Sequence, residues 1–213
     1  MDVRAFTVGP VQENTYIFRQ DGAAAGVIVD PGDEAPRLLQ ALDALGIELE
    51  AILITHTHFD HIGAVADVAE ATGAPVYCPT LEVPMMRDPN KYMRMAMFGP
   101  FRGWEPEHTV EGGERLELAG YEIDVHFTPG HSIGHVTYAV ADEPALFSGD
   151  VLFRDSVGRV DLPGGDWPTL ERSIGSLLDA YPDDAQVYPG HMAVTTLGRE
   201  RAQNPFLAEL AGR

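Results

Sequence analysis

The sequence has very little cysteine and lysine. Cys78 is the one cysteine among 213 residues, so a disulfide within the chain is excluded. It stands in the apolar run APVYCP, which favours a buried side chain over a nucleophile. Lys91 is the one lysine, and 33 acidic against 14 basic residues give a net charge of −19. A field of that sign repels phosphates and anionic membranes, so it argues against nucleic-acid and membrane partners. The simplest interpretation is a solvated acidic surface; adaptation to a salt-rich cytoplasm is the alternative.

Long hydrophobic runs are absent as well. No stretch approaches the roughly 20 apolar residues that a membrane helix needs. The N-terminus MDVRAFTVGPVQENTYIF lacks the basic segment and following apolar segment of a signal peptide. Together with the single cysteine, these absences predict a cytoplasmic protein. The length suits one domain with a sizeable core.

Apolar runs typical of strands alternate with segments of helical spacing. In EAPRLLQALDALG, residues 34–46, leucines recur at three- and four-residue steps before Gly46, which predicts a helix. Further helices are predicted over 62–73, 168–181 and 199–213. Strands are predicted over residues 3–8, 14–19, 25–30, 50–55, 74–78, 121–128, 135–140, 144–150 and 185–190. Because composition does not change along the chain, we expect one α/β domain over residues 1–213.

Residues 82–109 differ from the rest of the chain. They contain five of the seven methionines, together with Phe98, Phe101 and Trp104. One interpretation is an irregular segment that packs on the core. The other is a mobile apolar wall near a site, since methionine side chains adapt to varied surfaces.

The stretch THTHFDHIG, residues 55–63, places His56, His58, Asp60 and His61 within six positions. It follows the strand-like run AILI, so these side chains are expected on a loop where a strand ends. In an extended segment, positions two apart point the same way, so His56, His58 and Asp60 could converge while His61 points elsewhere. Imidazole and carboxylate groups bind zinc, iron or manganese. The spacing therefore predicts a metal site.

Three further donors follow later strands, each in a turn that contains glycine. These are His131 in TPGH, Asp150 in FSGD and His191 in YPGH. Glycine permits the sharp turns that direct the next side chain inward. Each turn alone is ordinary, but the three beside the histidine cluster strengthen the prediction of a metal site.

The sequence resembles the metallo-β-lactamase-fold hydrolases, and most of all their glyoxalase II-like branch in its compact single-domain form. The resemblance implies an α/β fold, a four-layer αββα sandwich with the site at one edge. It covers nearly the whole chain and rests on VDPGD at 29–33, THTHFDHIG at 55–63, TPGHSIGH at 128–135, FSGDVLF at 147–153, GRVDLPGGD at 158–166, YPGHM at 188–192 and TTLGRERAQNPFL at 195–207.

The family pattern implies two divalent metal ions, with zinc expected first and iron or manganese as alternatives. It assigns His56, His58 and His131 to one ion, Asp60, His61 and His191 to the other, and Asp150 to both. Asp30 matches an acidic position that would hold the far ring nitrogen of a ligating histidine. A turn residue before Pro31 is the alternative for Asp30, and Thr55 has a weaker claim to the same task.

The resemblance further implies hydrolysis of a small-molecule thioester such as S-lactoylglutathione, the hydroxyacylglutathione hydrolase reaction. The expected nucleophile is a hydroxide that bridges the two ions and is oriented by Asp60. A thioester suits such a site because a thiol with a pKa of about 8.5 leaves without strong acid help.

The C-terminal region departs from the two-domain glyoxalases II, in which a longer helical region binds glutathione. Here only about twenty residues follow YPGHM. Candidate side chains for an anionic substrate, with structural salt bridges as the alternative, are Arg154, Arg159, Arg199 and Arg201.

Other functions remain open at this point. A persulfide dioxygenase shares the histidine cluster but uses one iron held by two histidines and an aspartate. A β-lactamase is less favoured because Asp150 stands where the common zinc lactamases have cysteine. A lactonase and a non-catalytic metal-binding module complete the alternatives. Neither the acyl group, the thiol carrier nor the oligomeric state follows from the sequence.

Overall fold

The computed structural model describes residues 1–92 and 99–208. The chain divides into two compact units, Met1–Val110 with Glu117–Tyr121 and Glu111–Leu116 with Glu122–Arg213. In the part of the chain that the structure describes, no helix is long and apolar enough to cross a membrane. The one-domain organisation expected from the sequence stays a prediction.

The first unit is built around a six-stranded sheet in the order β1-β2-β3-β4-β5-β6. The first three strands pair antiparallel, whereas β3 to β6 pair parallel. Parallel pairing brings the carboxyl ends of neighbouring strands to one sheet edge, where α/β proteins usually bind ligands. The elements are β1 (Asp2–Val8), β2 (Glu13–Arg19), β3 (Ala25–Val29), α1 (Ala35–Leu45), β4 (Glu48–Leu53), α2 (Phe59–Ile62), α3 (Val65–Thr72), β5 (Val76–Pro79), α4 (Val83–Arg87), α5 (Pro89–Tyr92) and β6 (His108–Val110).

Helix α1 packs its leucines onto this sheet. Leu38 and Leu42 are buried in one apolar cluster with Val65 of α3 and Ile52 of β4. The helix ends at Gly46, which adopts φ 62°, a left-handed conformation that glycine tolerates best. The predicted helix at 34–46 is therefore present, because spacing and stop signal agree.

The second sheet has the order β14-β13-β10-β9-β8-β7, in which β10 and β13 pair parallel. Its apolar core joins Leu146 and Val187 from the strands with Leu170, Ile174 and Leu177 from helix α6. The elements from residue 111 onward are β7 (Arg115–Leu118), β8 (Tyr121–Phe127), β9 (Val136–Val140), β10 (Ala145–Gly149), β11 (Leu152–Phe153), β12 (Ser156–Val157), α6 (Trp167–Ala180), β13 (Gln186–Pro189), β14 (Thr195–Thr196) and α7 (Leu197–Gln203).

The predicted helix over 199–213 is wrong in its extent. Helix α7 begins at Leu197, after the Thr196 hydroxyl accepts a hydrogen bond from Arg199 N at 3.2 Å. It ends at Gln203 because Pro205 disfavours helical backbone at Asn204, which has ψ 120°. Residues 209–213 lie outside the described residues.

The Met-rich segment is helical at its start. Helices α4 and α5 cover residues 83–87 and 89–92, and Met86 is buried in the first core, with Trp104 packed against it. Residues 93–98, which include three of the methionines, lie outside the described residues. Whether the segment moves stays a prediction.

Candidate metal centre

The first donor cluster consists of His56, His58, Asp60 and His61, at the carboxyl end of β4. His56 is fully buried, and its Nε2 lies 3.0 Å from Nδ1 of His58. Helix α2 starts at Phe59, so the two-residue alternation of an extended chain ends at His58. For this reason Asp60 lies with His61, their ligand atoms within 4.8 Å of one another, rather than with His56 and His58 as the spacing predicted.

Asp30 follows β3 and organises the first donor cluster from behind. Its Oδ2 lies 2.9 Å from Nδ1 of His61 and accepts a hydrogen bond from Thr55 Oγ1 at 2.6 Å. Its Oδ1 accepts a hydrogen bond from Thr55 N at 2.7 Å. A carboxylate on Nδ1 fixes the ring so that Nε2 presents its lone pair to a metal. Asp30 reaches these partners with φ 47°, so the turn before Pro31 and the contact to His61 coexist.

Two buried glutamates beside the first donor cluster were not foreseen from the sequence. Glu13 of β2 is fully buried, with Oε1 3.9 Å from Nδ1 of His61, and burial raises the pKa of its carboxyl well above the ordinary value. Glu82 accepts hydrogen bonds from the Thr57 hydroxyl at 2.6 Å and from Thr57 N at 3.3 Å. Neither glutamate stands in a sequence pattern that signals a buried acidic residue.

The second donor cluster consists of His131, Asp150 and His191. Asp150 Oδ2 lies 3.4 Å from Nε2 of His131 and 3.6 Å from Nε2 of His191. His131 Nδ1 lies 2.8 Å from the carbonyl oxygen of Arg159, which accepts a hydrogen bond from Nδ1–H and leaves Nε2 for a metal. The three donors thus converge at the ends of β10 and β13 and in the turn after β8.

Two backbone features hold Asp150 in place. Its N–H donates to Nε2 of His135 at 3.0 Å, and His135 Nδ1 lies 3.1 Å from Thr128 Oγ1. A Cβ added at Gly158 would lie 1.9 Å from the carbonyl oxygen of Asp150, so only glycine fits there. His135 therefore supports the donor Asp150 from behind.

The four arginines proposed for an anionic substrate are paired with carboxylates in the second unit. Arg159 bonds Asp161 at 2.7 Å and holds the pKa of that carboxyl down at about 2. Arg154 Nε lies 3.9 Å from Asp155, Arg199 contacts Asp155 and Glu200, and Arg201 contacts Asp183. A role in substrate binding for any of them stays a prediction.

Cys78 is fully buried, and burial raises the pKa of its thiol well above the ordinary value. A thiol in that state is not a nucleophile, because only the thiolate attacks. The buried side chain expected from APVYCP is present.

Comparison with known proteins gives the family. Residues 8–191 match the model of the Metallo-beta-lactamase superfamily, and the chain belongs to that superfamily. Its members bind divalent metals, typically two, and the chain is a metal-dependent hydrolase of this class. The α/β fold class expected from the sequence is confirmed, with two sheets and flanking helices.

Individual relatives cover nearly the whole chain. Hydroxyacylglutathione hydrolase GloC of Haemophilus influenzae is 33% identical, over 97% of this chain and 98% of its own. The crystal structure of BLEG-1 B3 metallo-beta-lactamase is 39% identical, with a TM-score of 0.91 over 97% of this chain and 100% of that one. The crystal structure of TTHA1623 in a di-iron-bound form is 41% identical, with a TM-score of 0.87 over 96% of this chain and 100% of that one.

Proposed function

We propose that this protein hydrolyses thioesters of the S-lactoylglutathione type with the help of two divalent metal ions. The observation that carries the proposal is the chemistry of the two donor clusters, which consist of imidazole nitrogens and carboxylate oxygens at strand ends. Such donors suit zinc, iron and manganese, so the residues fit the metals that the superfamily uses.

The family pattern provides the metal assignment. His56, His58 and His131 would hold one ion, Asp60, His61 and His191 the other, and Asp150 both. When bound, the ions would polarise the substrate carbonyl and lower the pKa of water. In the first donor cluster, the ligand atoms of Asp60 and His61 lie within 4.8 Å of one another. In the second, Asp150 Oδ2 lies 3.4 Å from His131 and 3.6 Å from His191. These distances support the assignment within each cluster.

The protein's own residues would orient the metal donors, and its one cysteine would not attack the substrate carbonyl. Asp30 keeps His61 in one tautomer, and the Arg159 carbonyl does the same for His131. The one cysteine is buried with a raised thiol pKa, so it cannot attack a carbonyl. Water would then be the nucleophile, and Asp60, whose ligand atom lies within 4.8 Å of that of His61, would orient it.

Two other activities have specific support. The B3 β-lactamase BLEG-1 is 39% identical, which favours testing β-lactam hydrolysis. A persulfide dioxygenase would need only one iron on two histidines and an aspartate, a subset of the donors present. The similarity to GloC favours the thioester among the three.

The deciding experiment is metal analysis per chain on protein purified without added metal, with three assays on the same sample. The substrates are S-lactoylglutathione, glutathione persulfide with oxygen, and a chromogenic cephalosporin. We expect close to two metals per chain and release of free thiol. One iron with oxygen uptake and no thiol release would establish the dioxygenase instead, and opening of the β-lactam alone would establish a lactamase.

A matched pair of variants controls this experiment. His58→Asn removes a donor, and we expect it to lower metal content and thiol release together. His108→Asn alters an exposed histidine of the same unit whose ring contacts that of Tyr77, and both quantities should stay at the wild-type level. Equal activity of the two variants would contradict the assignment of His58.

A further inference from the structure

The first unit contains a cavity of about 210 Å³ that begins at Asp60 of the first donor cluster. Its walls come from the loop at 8–11 between β1 and β2, the Gly32–Asp33 turn, Phe59 with Gly63, and Pro100 with Phe101. The volume lies below the roughly 300 Å³ at which sites for drug-sized ligands start. The cavity therefore suits a group of a few carbon atoms rather than an entire thiol carrier.

The aromatic wall of the cavity is fixed by its neighbours. The Asn90 side chain donates to the Phe101 carbonyl at 2.7 Å and accepts from Phe101 N at 2.9 Å. Arg102, next in the chain, forms ion pairs with Asp67 and Glu70 of α3. The Phe101 ring lies 5.6 Å from that of Phe59, centroid to centroid. Two aromatic faces are thus held in place as an apolar surface.

The floor and rim are held as well. A Cβ added at Gly32 would lie 1.7 Å from the carbonyl oxygen of Asp60, so backbone meets backbone beneath the cavity. At the rim, Gly9 N donates to Glu34 at 3.1 Å and Arg37 donates to the Thr7 carbonyl at 3.0 Å. A preformed cavity binds a ligand without the entropic cost of ordering its walls.

The charge of the cavity distinguishes between ligands. Among its lining residues in the described ranges, the charged side chains are Asp33 and Asp60, and none is basic. Asp60 would be compensated by the ion it is assigned to, so Asp33 supplies the negative charge that a carboxylate entering this space would meet, in addition to its loss of hydration. Glutathione carries two carboxylates and would meet this penalty, whereas an uncharged aliphatic chain would not.

We propose that this cavity binds the acyl group of the thioester and selects short, uncharged, aliphatic acyl groups. The inference rests on the proposed thioesterase function and deepens it, because it names the part of the substrate that is selected. Its position beside Asp60 puts the group next to the proposed reaction centre. Selection would come from apolar contact with Val11, Phe59 and Phe101 and from rejection of anions by Asp33.

The test uses acetyl, butanoyl and succinyl thioesters of N-acetylcysteamine, a small uncharged carrier, with metal-loaded enzyme. Burial of two additional methylenes should raise kcat/KM for butanoyl about tenfold over acetyl. Succinyl has the same chain length as butanoyl but ends in a carboxylate, and its kcat/KM should fall at least about tenfold below that of butanoyl. Equal values for butanoyl and succinyl would overturn the inference while leaving the thioesterase function intact.

Two lysine variants show whether the cavity is the source of the selection. Val11 lies at the rim and is 37% exposed. The variant Val11→Lys supplies a cation there and should raise the ratio of kcat/KM for succinyl to that for butanoyl about tenfold. Leu81→Lys places the same charge at a 51% exposed apolar residue outside the cavity and should leave the ratio unchanged. An unchanged ratio in Val11→Lys, or an equal rise in both, would overturn the assignment. No turnover of any thioester by wild-type enzyme would overturn the proposed function and this inference together.

Discussion

Asp30 supports the first donor cluster through three short hydrogen bonds. It bonds Thr55 twice and His61 once, all at 2.9 Å or less, while fully enclosed by protein. Hydrogen bonds to a charged acceptor are about twice as strong as neutral ones. Removing the charge while keeping the shape therefore tests how far the orientation of His61 depends on it.

For Asp30→Asn we expect metal affinity or activity to fall about 10- to 100-fold, because partners behind the ligands commonly contribute that much. Metal titration followed by the thioester assay measures the effect. Asp43→Asn, at an exposed position of α1, makes the same chemical change away from the cluster and should have no effect. A folded Asp30→Asn protein with wild-type metal affinity would contradict the prediction.

Among single residues, the metal-donor side chains were easier to predict from the sequence than the buried glutamates beside them. His56, His58 and His61 were visible because three histidines in six positions are improbable without a shared task. Glu13 and Glu82 were not visible, since a single acidic residue has no spacing to interpret and its burial depends on strands distant in sequence. The two-residue spacing alone put Asp60 with His56 and His58, whereas the resemblance put it with His61. The spacing failed because the start of α2 at Phe59 changes the period from two to 3.6 residues.

Among the elements, α6 and β8 are joined by a polar contact within the second unit. The Tyr181 hydroxyl, directly after α6, hydrogen-bonds Nε2 of His126 on β8. Burial raises the pKa of Tyr181 to about 12 and lowers that of His126. Both groups are therefore neutral in the folded protein at neutral pH.

The lowered pKa of His126 gives a stability prediction with a definite sign. Below the ordinary value of 6.5 the unfolded chain binds a proton at His126 more readily than the folded chain does. Stability from the neutral histidine is therefore present above pH 6.5 and is lost as the pH falls toward the lowered pKa. We expect the difference in unfolding free energy between wild type and His126→Asn to shrink from pH 7.5 to 5.5, measured by urea denaturation. A difference independent of pH would contradict this prediction.

The elements themselves were predictable where period and stop signals agreed. Helices α1 and α6 have leucines at helical spacing, and each starts or stops at a recognisable residue, Gly46 or Asp166. Strands β6 and β7 were missed because HTV and RLEL are short and partly polar, and they exist through pairing with β5 and β8. Helix α7 was drawn too long because the effect of Pro205 was outweighed by apolar spacing beyond it.

At the scale of the whole molecule, the net charge of −19 is the dominant property. Mutual repulsion of like charges destabilises a compact state, and salt screens that repulsion. We expect the Tm at pH 8 to rise as KCl is increased from about 10 mM to about 1 M, where the screening length falls from about 30 Å to about 3 Å. Circular dichroism on metal-loaded protein measures this change.

The same titration near pH 5 is the control. That pH lies close to the sequence pI of about 4.5, so less net charge remains to be screened. The rise in Tm with salt should be smaller there. A salt effect equal at both pH values would show that repulsion is not its cause.

The strand order of the first sheet also bears on biosynthesis. Strands β1 to β6 all lie within residues 2–110, so their ladder needs no residue from the second half of the chain. At a translation rate of about 5–20 residues per second, the ribosome needs about 5–20 s to add the remaining hundred or so residues. The first sheet can thus pair while the polypeptide is still attached to the ribosome, because all six of its strands, and His56, His58 and His61 at the end of β4, are synthesised before Asp150 and His191.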